Sequence, residues 1–448
     1  MKNNKLKRYY NLIYKYLKIE KIEIAEQKFV YGVIINILVA ALSRIAALIS
    51  AIISARLLGK VFYGQLGVIN NTITLVSILS GLGLGITTIK YVSEYKDKDI
   101  DKVSRIISFS LLASLFSGIV VSLIIVIFSN YISSNLIGDP NFKKYIEISM
   151  IMVITGNFVS TQNGVIIGLE LYKQLAKASI INSLALVILQ PLLIYKFKLD
   201  GAIYSMIICS IINVLNNINI LRAGFKKNHI KISKNNIFEG KIILYRFSLP
   251  LLLSSIITSV PVWLINARIA SSTNGFSELG IFNAANQWKS LILFLPNTIS
   301  QLIIPIITQK YEKKDTHSLY KITNKSSFLL ICIIVPISLI IVIFSKWIMS
   351  RYGLSFKNSF NILILVVITS SILAIINPYE QIIVASDNIW GGFVTNCIWA
   401  TLFIIFNFMT KERSAKTLAF SYLYSYIIHA IITFLYVKNI IKRVKETL

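Results

Sequence analysis

Residues 53–70 read ISARLLGKVFYGQLGVIN, and residues 265–283 read INARIASSTNGFSELGIFN. Ile53-Ser54-Ala55-Arg56 matches Ile265-Asn266-Ala267-Arg268. Leu66-Gly67-Val68-Ile69-Asn70 matches Leu279-Gly280-Ile281-Phe282-Asn283. The offset is 212 at the first block and 213 at the second. A third match follows, where Lys90-Tyr91 and Lys310-Tyr311 each open a basic loop. Three matches in the same order mark an internal duplication, which decides the architecture.

The sequence around both copies is apolar. The chain is 55% hydrophobic and only 15% charged, with a mean hydropathy of +0.70. Apolar runs reach ~20 residues, the length of a helix that crosses the hydrocarbon core. Lipid offers the backbone no hydrogen-bond partners, so such runs are helices. The short alternating segments of an outer-membrane barrel are absent. Twelve spans are expected, at 29–55, 62–88, 106–128, 144–167, 178–195, 201–221, 246–267, 281–308, 326–349, 358–385, 389–410 and 416–437. Six spans separate the two copies, and an even number preserves orientation. The repeats are therefore parallel, with a pseudo-two-fold axis along the membrane normal. The expected fold is an all-α membrane protein of two six-helix bundles, 29–222 and 246–437. A basic segment (1–28) precedes them, a basic linker (223–245) joins them and a tail (438–448) follows.

A net charge of +27 on a soluble protein would suggest nucleic acid. Here Lys and Arg gather in alternate segments, 1–28, 89–105, 222–246 and 309–325, and mark the cytoplasmic side. No nucleic-acid partner is expected, and both termini are placed in the cytoplasm. The first apolar run is too long for a cleavable signal. Cys209, Cys332 and Cys397 lie singly in apolar runs, so neither a disulfide nor a metal site is expected. No HExxH, Walker A or Gly-x-Ser-x-Gly pattern occurs, and neither catalysis nor a cofactor is expected. Gly81-Leu82-Gly83-Leu84-Gly85 has no strand before it and reads as a site of close helix packing.

The informative residues are ionisable groups at membrane depth, which are costly there. Arg44 falls near the middle of span 1. Asn36, Ser43, Ser50 and Ser54 recur at helical spacing beside it. In span 8, Asn283, Gln287, Ser290, Asn297 and Gln301 form a second polar stripe with Lys289 at its edge. Both faces are expected to line a cavity between the bundles, with a structural ion pair or a helix–helix hydrogen bond as the alternative role of Arg44, and with Lys289 read equally as a cavity cation or as a group near the outer end of its span. Arg56 and Arg268 occupy matching positions at outer helix ends. They read either as a rim that guides an anionic head group or as anchors that hold a loop. Glu380 and Asp387 fall towards the inner end of span 10, and no acidic residue is placed at the midplane. Pro250, Pro261, Pro296, Pro305, Pro336 and Pro378 concentrate in the second half, where they bend helices.

Residues 55–67, Ala-Arg-Leu-Leu-Gly-Lys-Val-Phe-Tyr-Gly-Gln-Leu-Gly, resemble the signature after the first span of the polysaccharide-exporting, O-antigen-type flippases. That family has an Arg, a Leu-Gly pair and an aromatic-Gly pair; Arg56, Leu58-Gly59 and Tyr63-Gly64 match. Where an aromatic residue often follows, this chain has Leu66. Gly168-Leu169-Glu170 and Gly201-Ala202 give a second, shorter match.

The resemblance implies a fold shared with multidrug efflux pumps and lipid II flippases. It also implies an undecaprenyl-pyrophosphate-linked oligosaccharide as substrate and a cationic cavity, carried here onto Arg44 and Lys289. Glycan polymerase and chain-length proteins are implied as partners beside the bilayer itself. A drug exporter of the same fold would be expected to place acidic residues in its cavity, yet spans 1, 2, 7 and 8 contain no Asp or Glu. A membrane polymerase would be expected to carry a large outer loop, and none is read here.

Overall fold

In a computed structural model, the structure describes residues 24–228, 230, 249–386 and 388–446. The first half comprises α1 (Ile24–Gly81), α2 (Leu84–Tyr95), α3 (Ile100–Ile127), α4 (Phe142–Gly168) and α5 (Tyr172–Lys227). The second half comprises α6 (Leu249–Ala270), α7 (Gly275–Ile292), α8 (Phe294–Glu312) and α9 (Thr316–Ile343). It continues with α10 (Ser345–Tyr352), α11 (Phe360–Ala385), α12 (Ile389–Phe408) and α13 (Ala415–Glu446). A π-helical turn (Ile132–Ile137) precedes α4, and a 3-10 turn (Leu354–Ser359) precedes α11.

α1 has 58 residues, so a straight helix would run about 87 Å, far beyond a ~30 Å hydrocarbon core. It folds back at Gly59, whose φ of 69° and ψ of 173° leave the helical region. Contacts prove the reversal. Gly67 lies against the Asn283 side chain, while Arg44 reaches Ser290. Those partners sit only seven residues apart on α7, about 10 Å. α5, with 56 residues, turns likewise at Lys198 (φ 51°), where Gly201 packs on the Leu193 carbonyl. Among the described residues, nine helical stretches are long and apolar enough to cross a membrane. α1 and α5 each supply two crossings, and α7 with α8 adds a broken one, which makes twelve.

The duplication is visible in the structure. Asp99 caps α3 by accepting from the Lys102 N–H at 2.9 Å, and Asp315 caps α9 by accepting from the Ser318 N–H at 3.0 Å. The second crossing of each half is broken. α1 gives way to α2 at Leu82 and Gly83 (φ 49° and 64°), and α7 gives way to α8 at Leu293. The second break corrects the continuous span 8 of the sequence reading. Pro296 sits in the first turn of α8, where a missing N–H costs little. Gly85 packs on Ser160, and Gly164 on the Gly85 carbonyl, so part of the glycine run does serve close packing.

Two boundaries differ from expectation. The tail 438–448 is helix through Glu446, and α5 continues to Lys227 inside the expected linker. Basic residues in a last turn complement the helix dipole and extend both helices. Most of the segment 1–28, the rest of the linker and Asp387 lie outside the described residues.

The halves form two lobes that meet where the second limb of α1 packs on α6 and α7. A Cβ on Gly64 would strike the Phe276 carbonyl, and one on Gly280 the Lys60 carbonyl. Only glycine permits that approach. Phe142 stacks on Phe276 with centroids 5.5 Å apart, and Trp263 Nε1 donates to Thr72 Oγ1 at 2.9 Å. This end, bearing the α6–α7 turn, is closed. At the other end, bearing the α2–α3 and α8–α9 turns, no substantial helix packing joins the lobes among the described residues.

Candidate functional site

Arg44 projects from the first limb of α1 into the gap between the lobes. Its Nη1 donates to the Ser290 carbonyl at 3.2 Å, and the guanidinium lies 5.2 Å from the Phe294 ring centroid. The break at Leu293 explains the partner. A helix leaves its last carbonyls without intrahelical donors, and the negative end of its dipole attracts a cation. Ser290 lies in the last turn of α7, and Arg44 donates to its carbonyl from the opposite lobe.

Beside Arg44, the first limb of α1 with α4 and α5 walls a cavity of about 480 Å³ on the open half of the molecule. Ser43, Asn163, Ser179, Asn182, Ser183 and Asn213 give it a neutral polar wall, and among the described residues no carboxylate lines it. Asn163 is oriented by Asn217, whose Nδ2 donates to its Oδ1 at 2.9 Å. Ser43 Oγ and Asn182 Oδ1 are enclosed without a protein partner. Buried polar atoms in that position are completed by water or by a ligand.

The other expected site residues separate. Ser50 is buried and donates to Gln190 Oε1 at 2.7 Å, and Ser54 donates to the Ser50 carbonyl, so neither lines the cavity. Their face turns into the first lobe because α5 packs against it. The Asn36 and Gln301 side chains lie outside the described residues. Asn283 sits at the lobe crossing against Gly67, and Gln287 bonds Tyr63 there. Asn297 Oδ1 accepts from Asn377 Nδ2 at 3.4 Å inside the second lobe, and Ser300 also bonds Asn377.

Lys289 turns away from Arg44. Its Nζ lies over Tyr422 at 5.4 Å and over Tyr426 at 5.3 Å. It therefore does not share the Arg44 cavity. One residue along a helix is a rotation of about 100°, so Lys289 and Ser290 point into different surroundings. Glu380 stands within electrostatic reach of Tyr426, and His429 packs edge-on to the same ring at 6.2 Å. At the closed end Arg56 is exposed. Arg268 donates to Asn407 Oδ1 at 2.7 Å and stacks 4.2 Å from Phe408, so it ties α6 to α12.

The sequence reading missed the amide wall. Its signal was present: Ser179, Asn182 and Ser183 recur at the i, i+3, i+4 spacing of one helix face within an apolar span.

The polysaccharide biosynthesis protein family matches residues 29–310, and the MatE family matches residues 250–389. No curated protein matches the chain. Among solved structures, an inward-facing multidrug resistance MATE transporter of the MOP superfamily is similar with a TM-score of 0.77. The identity is 14%, over 90% of this chain and 96% of that one. An outward-facing form of such a transporter gives 0.64 at 16% identity, over 94% and 96%. A MOP superfamily transporter from Pyrococcus furiosus, described by the reversed polarity of its binding pocket, gives 0.65 at 14% identity, over 93% and 96%.

Proposed function

Since the chain belongs to the polysaccharide biosynthesis protein family, whose match covers more than half of it, we propose that this multi-pass membrane transporter is a lipid-linked oligosaccharide flippase. Its substrate is an undecaprenyl-pyrophosphate-linked repeat unit of O-antigen, capsule or exopolysaccharide. Its place is the bacterial cytoplasmic membrane with both termini inside, so the open end faces the cytoplasm. Glycan polymerase and chain-length proteins act after it.

The observation that carries this reading is the polarity of the open cavity: one guanidinium, a wall of Ser and Asn, and no carboxylate. A pyrophosphate cannot enter hydrocarbon unpaired. Arg44 offers it a charge-assisted, bidentate partner. The asparagines replace water around sugar hydroxyls, and the lipid tail stays in the bilayer.

The same geometry supports a route to alternating access. Arg44 links the lobes through a neutral carbonyl, an interaction of about 1.5–3 kcal/mol at most. A phosphate is the stronger acceptor and draws the guanidinium off Ser290. That replaces the direct tie between the lobes with one through the bound head group, around which the gap closes. The closed end then separates at the Gly64–Gly280 crossing.

The test is deletion of the gene in its native host, with surface glycan and lipid-linked intermediates followed together. Intermediates accumulating on the cytoplasmic face, rescued by wild type but not by Arg44→Ala at equal membrane abundance, are expected. Normal surface glycan with no second flippase in the strain would overturn the reading. The similarity to multidrug transporters and the MatE match favour a drug exporter as the second reading. It predicts drug sensitivity of the deletion strain instead.

A further inference from the structure

At the closed end, a cavity of about 540 Å³ lies on the other side of the molecule from the Arg44 site. α6 and α12 form two walls, the α12–α13 turn brings Arg413, and the π-helical turn of the first lobe brings Leu136. Two guanidiniums meet here. Arg413 Nη1 donates to the Arg268 carbonyl at 3.5 Å and to Ser271 Oγ at 3.4 Å, which places it beside Arg268.

Among the described residues, no ion pair includes Arg268 or Arg413. The Glu278 carboxylate is committed elsewhere: it accepts the Ala415 N–H at 2.8 Å and caps α13. Two like charges held together without a counter-charge repel, and a bound anion removes that cost. Donors remain for it. A guanidinium carries five N–H groups, and each of these arginines commits Nη1 alone. Asn407 and Phe408 fix the plane of Arg268, so little side-chain freedom is left to lose on binding.

Apart from Asn135 and Ser271, the rest of the lining is apolar, and part of it is exposed. Leu264 is 45% exposed and Phe408 59% exposed, with Ile404 between them on the same wall. A cationic pair above an apolar wall fits an amphiphile, with an anionic head on the arginines and a chain below.

We propose that this cavity binds a phospholipid of net negative head-group charge from the leaflet at the closed end, with its phosphate between Arg268 and Arg413 and its chain against Leu264, Ile404 and Phe408. Both lobes contribute to the wall, so the occupant binds best while this end is closed and holds it so. The proposal does not depend on what the Arg44 cavity transports.

The experiment uses the purified full chain in nanodiscs of phosphatidylcholine, with or without phosphatidylglycerol. Retained lipid is read by native mass spectrometry and melting temperature by intrinsic fluorescence. Phosphatidylglycerol is expected to be retained over phosphatidylcholine, and Arg413→Gln to weaken that retention about tenfold. Arg413→Lys is expected to keep part of it. Because Arg268 also ties α6 to α12, Arg413 is the cleaner variant. Equal retention of the two lipids, or retention unchanged in Arg413→Gln, would overturn the proposal. Inorganic phosphate is the second arm. If phosphate alone displaces the lipid and gives the same thermal stabilisation, the site takes a soluble anion and the lipid assignment fails.

Discussion

The two lobes descend from one repeat and carry a cation at nearly the same level, yet they use it differently. In the first lobe Arg44 is exposed beside a cavity of serines and asparagines. In the second, Lys289 is packed over Tyr422 and Tyr426, with Glu380 and His429 close to the same ring. The shared parts are geometric: the helix caps Asp99 and Asp315, and a break in the second crossing of each lobe. The divergent parts are chemical. Duplication preserved the scaffold and left one lobe wet and polar, the other aromatic and filled.

The largest effect should come from the scaffold the lobes share. Gly280→Ala places a methyl group into the Lys60 carbonyl, where backbone cannot yield. Overpacking of that kind costs about 1–3 kcal/mol. The expected result is a lower yield, a melting temperature depressed by several degrees and loss of transport. Gly156→Ala, with nothing near its Cβ, is the matched control and should behave as wild type. Equal melting temperatures for the two variants would show that the crossing is looser than drawn.

Next comes the contrast between the cations. Arg44→Ala should reduce transport at least about tenfold at unchanged membrane abundance, as expected for losing a charge-assisted contact. Arg44→Lys should recover only part, because an ammonium lacks the bidentate fork. Lys289→Met should keep most transport, since the residue fills an aromatic pocket. Should Lys289→Met prove as damaging as Arg44→Ala, the lobes would share one cavity in another state of the cycle. A smaller loss, about threefold, is expected for Asn182→Leu, which removes one neutral hydrogen-bonding group from the wall.

Much of this contrast was legible in the sequence. Apolar run length and the offset of 212–213 residues led to twelve crossings in two halves. Arg44 stood out because a cation at midspan needs a polar surrounding. Lys289 carried the same signal and a different answer. A one-residue rotation separates a cavity wall from an aromatic interior, and only packing decides which way it faces. The Ser50 and Ser54 stripe failed for a related reason: periodicity defines a face but not what packs on it. The break at Leu293 was concealed, because Pro296 reads as a kink in any apolar helix. That break ends α7 just past Ser290, whose carbonyl Arg44 reaches to link the lobes.

The smallest expected effect tests the scaffold from its caps. Asp315 is held well below the usual carboxylate range, first by its side-chain and backbone hydrogen bonds from Ser318 and then by Lys310 at 3.1 Å. A carboxyl depressed in the folded protein adds stability above its unfolded pKa of about 4. It loses that stability as pH falls towards the folded value. Wild type should therefore become less heat-stable below about pH 4, while Asp315→Asn should start lower at pH 7 and change less on acidification. Asp99→Asn removes only the charge from the matching cap of the first lobe, where the amide oxygen still accepts the Lys102 N–H and no lysine ion pair is lost, so its decrease at pH 7 should be the lesser. Melting curves of the purified variants across that pH range decide it. If both caps lower stability equally, the Lys310 contact adds nothing, and the lobes are as symmetric at their caps as the repeat alone implies.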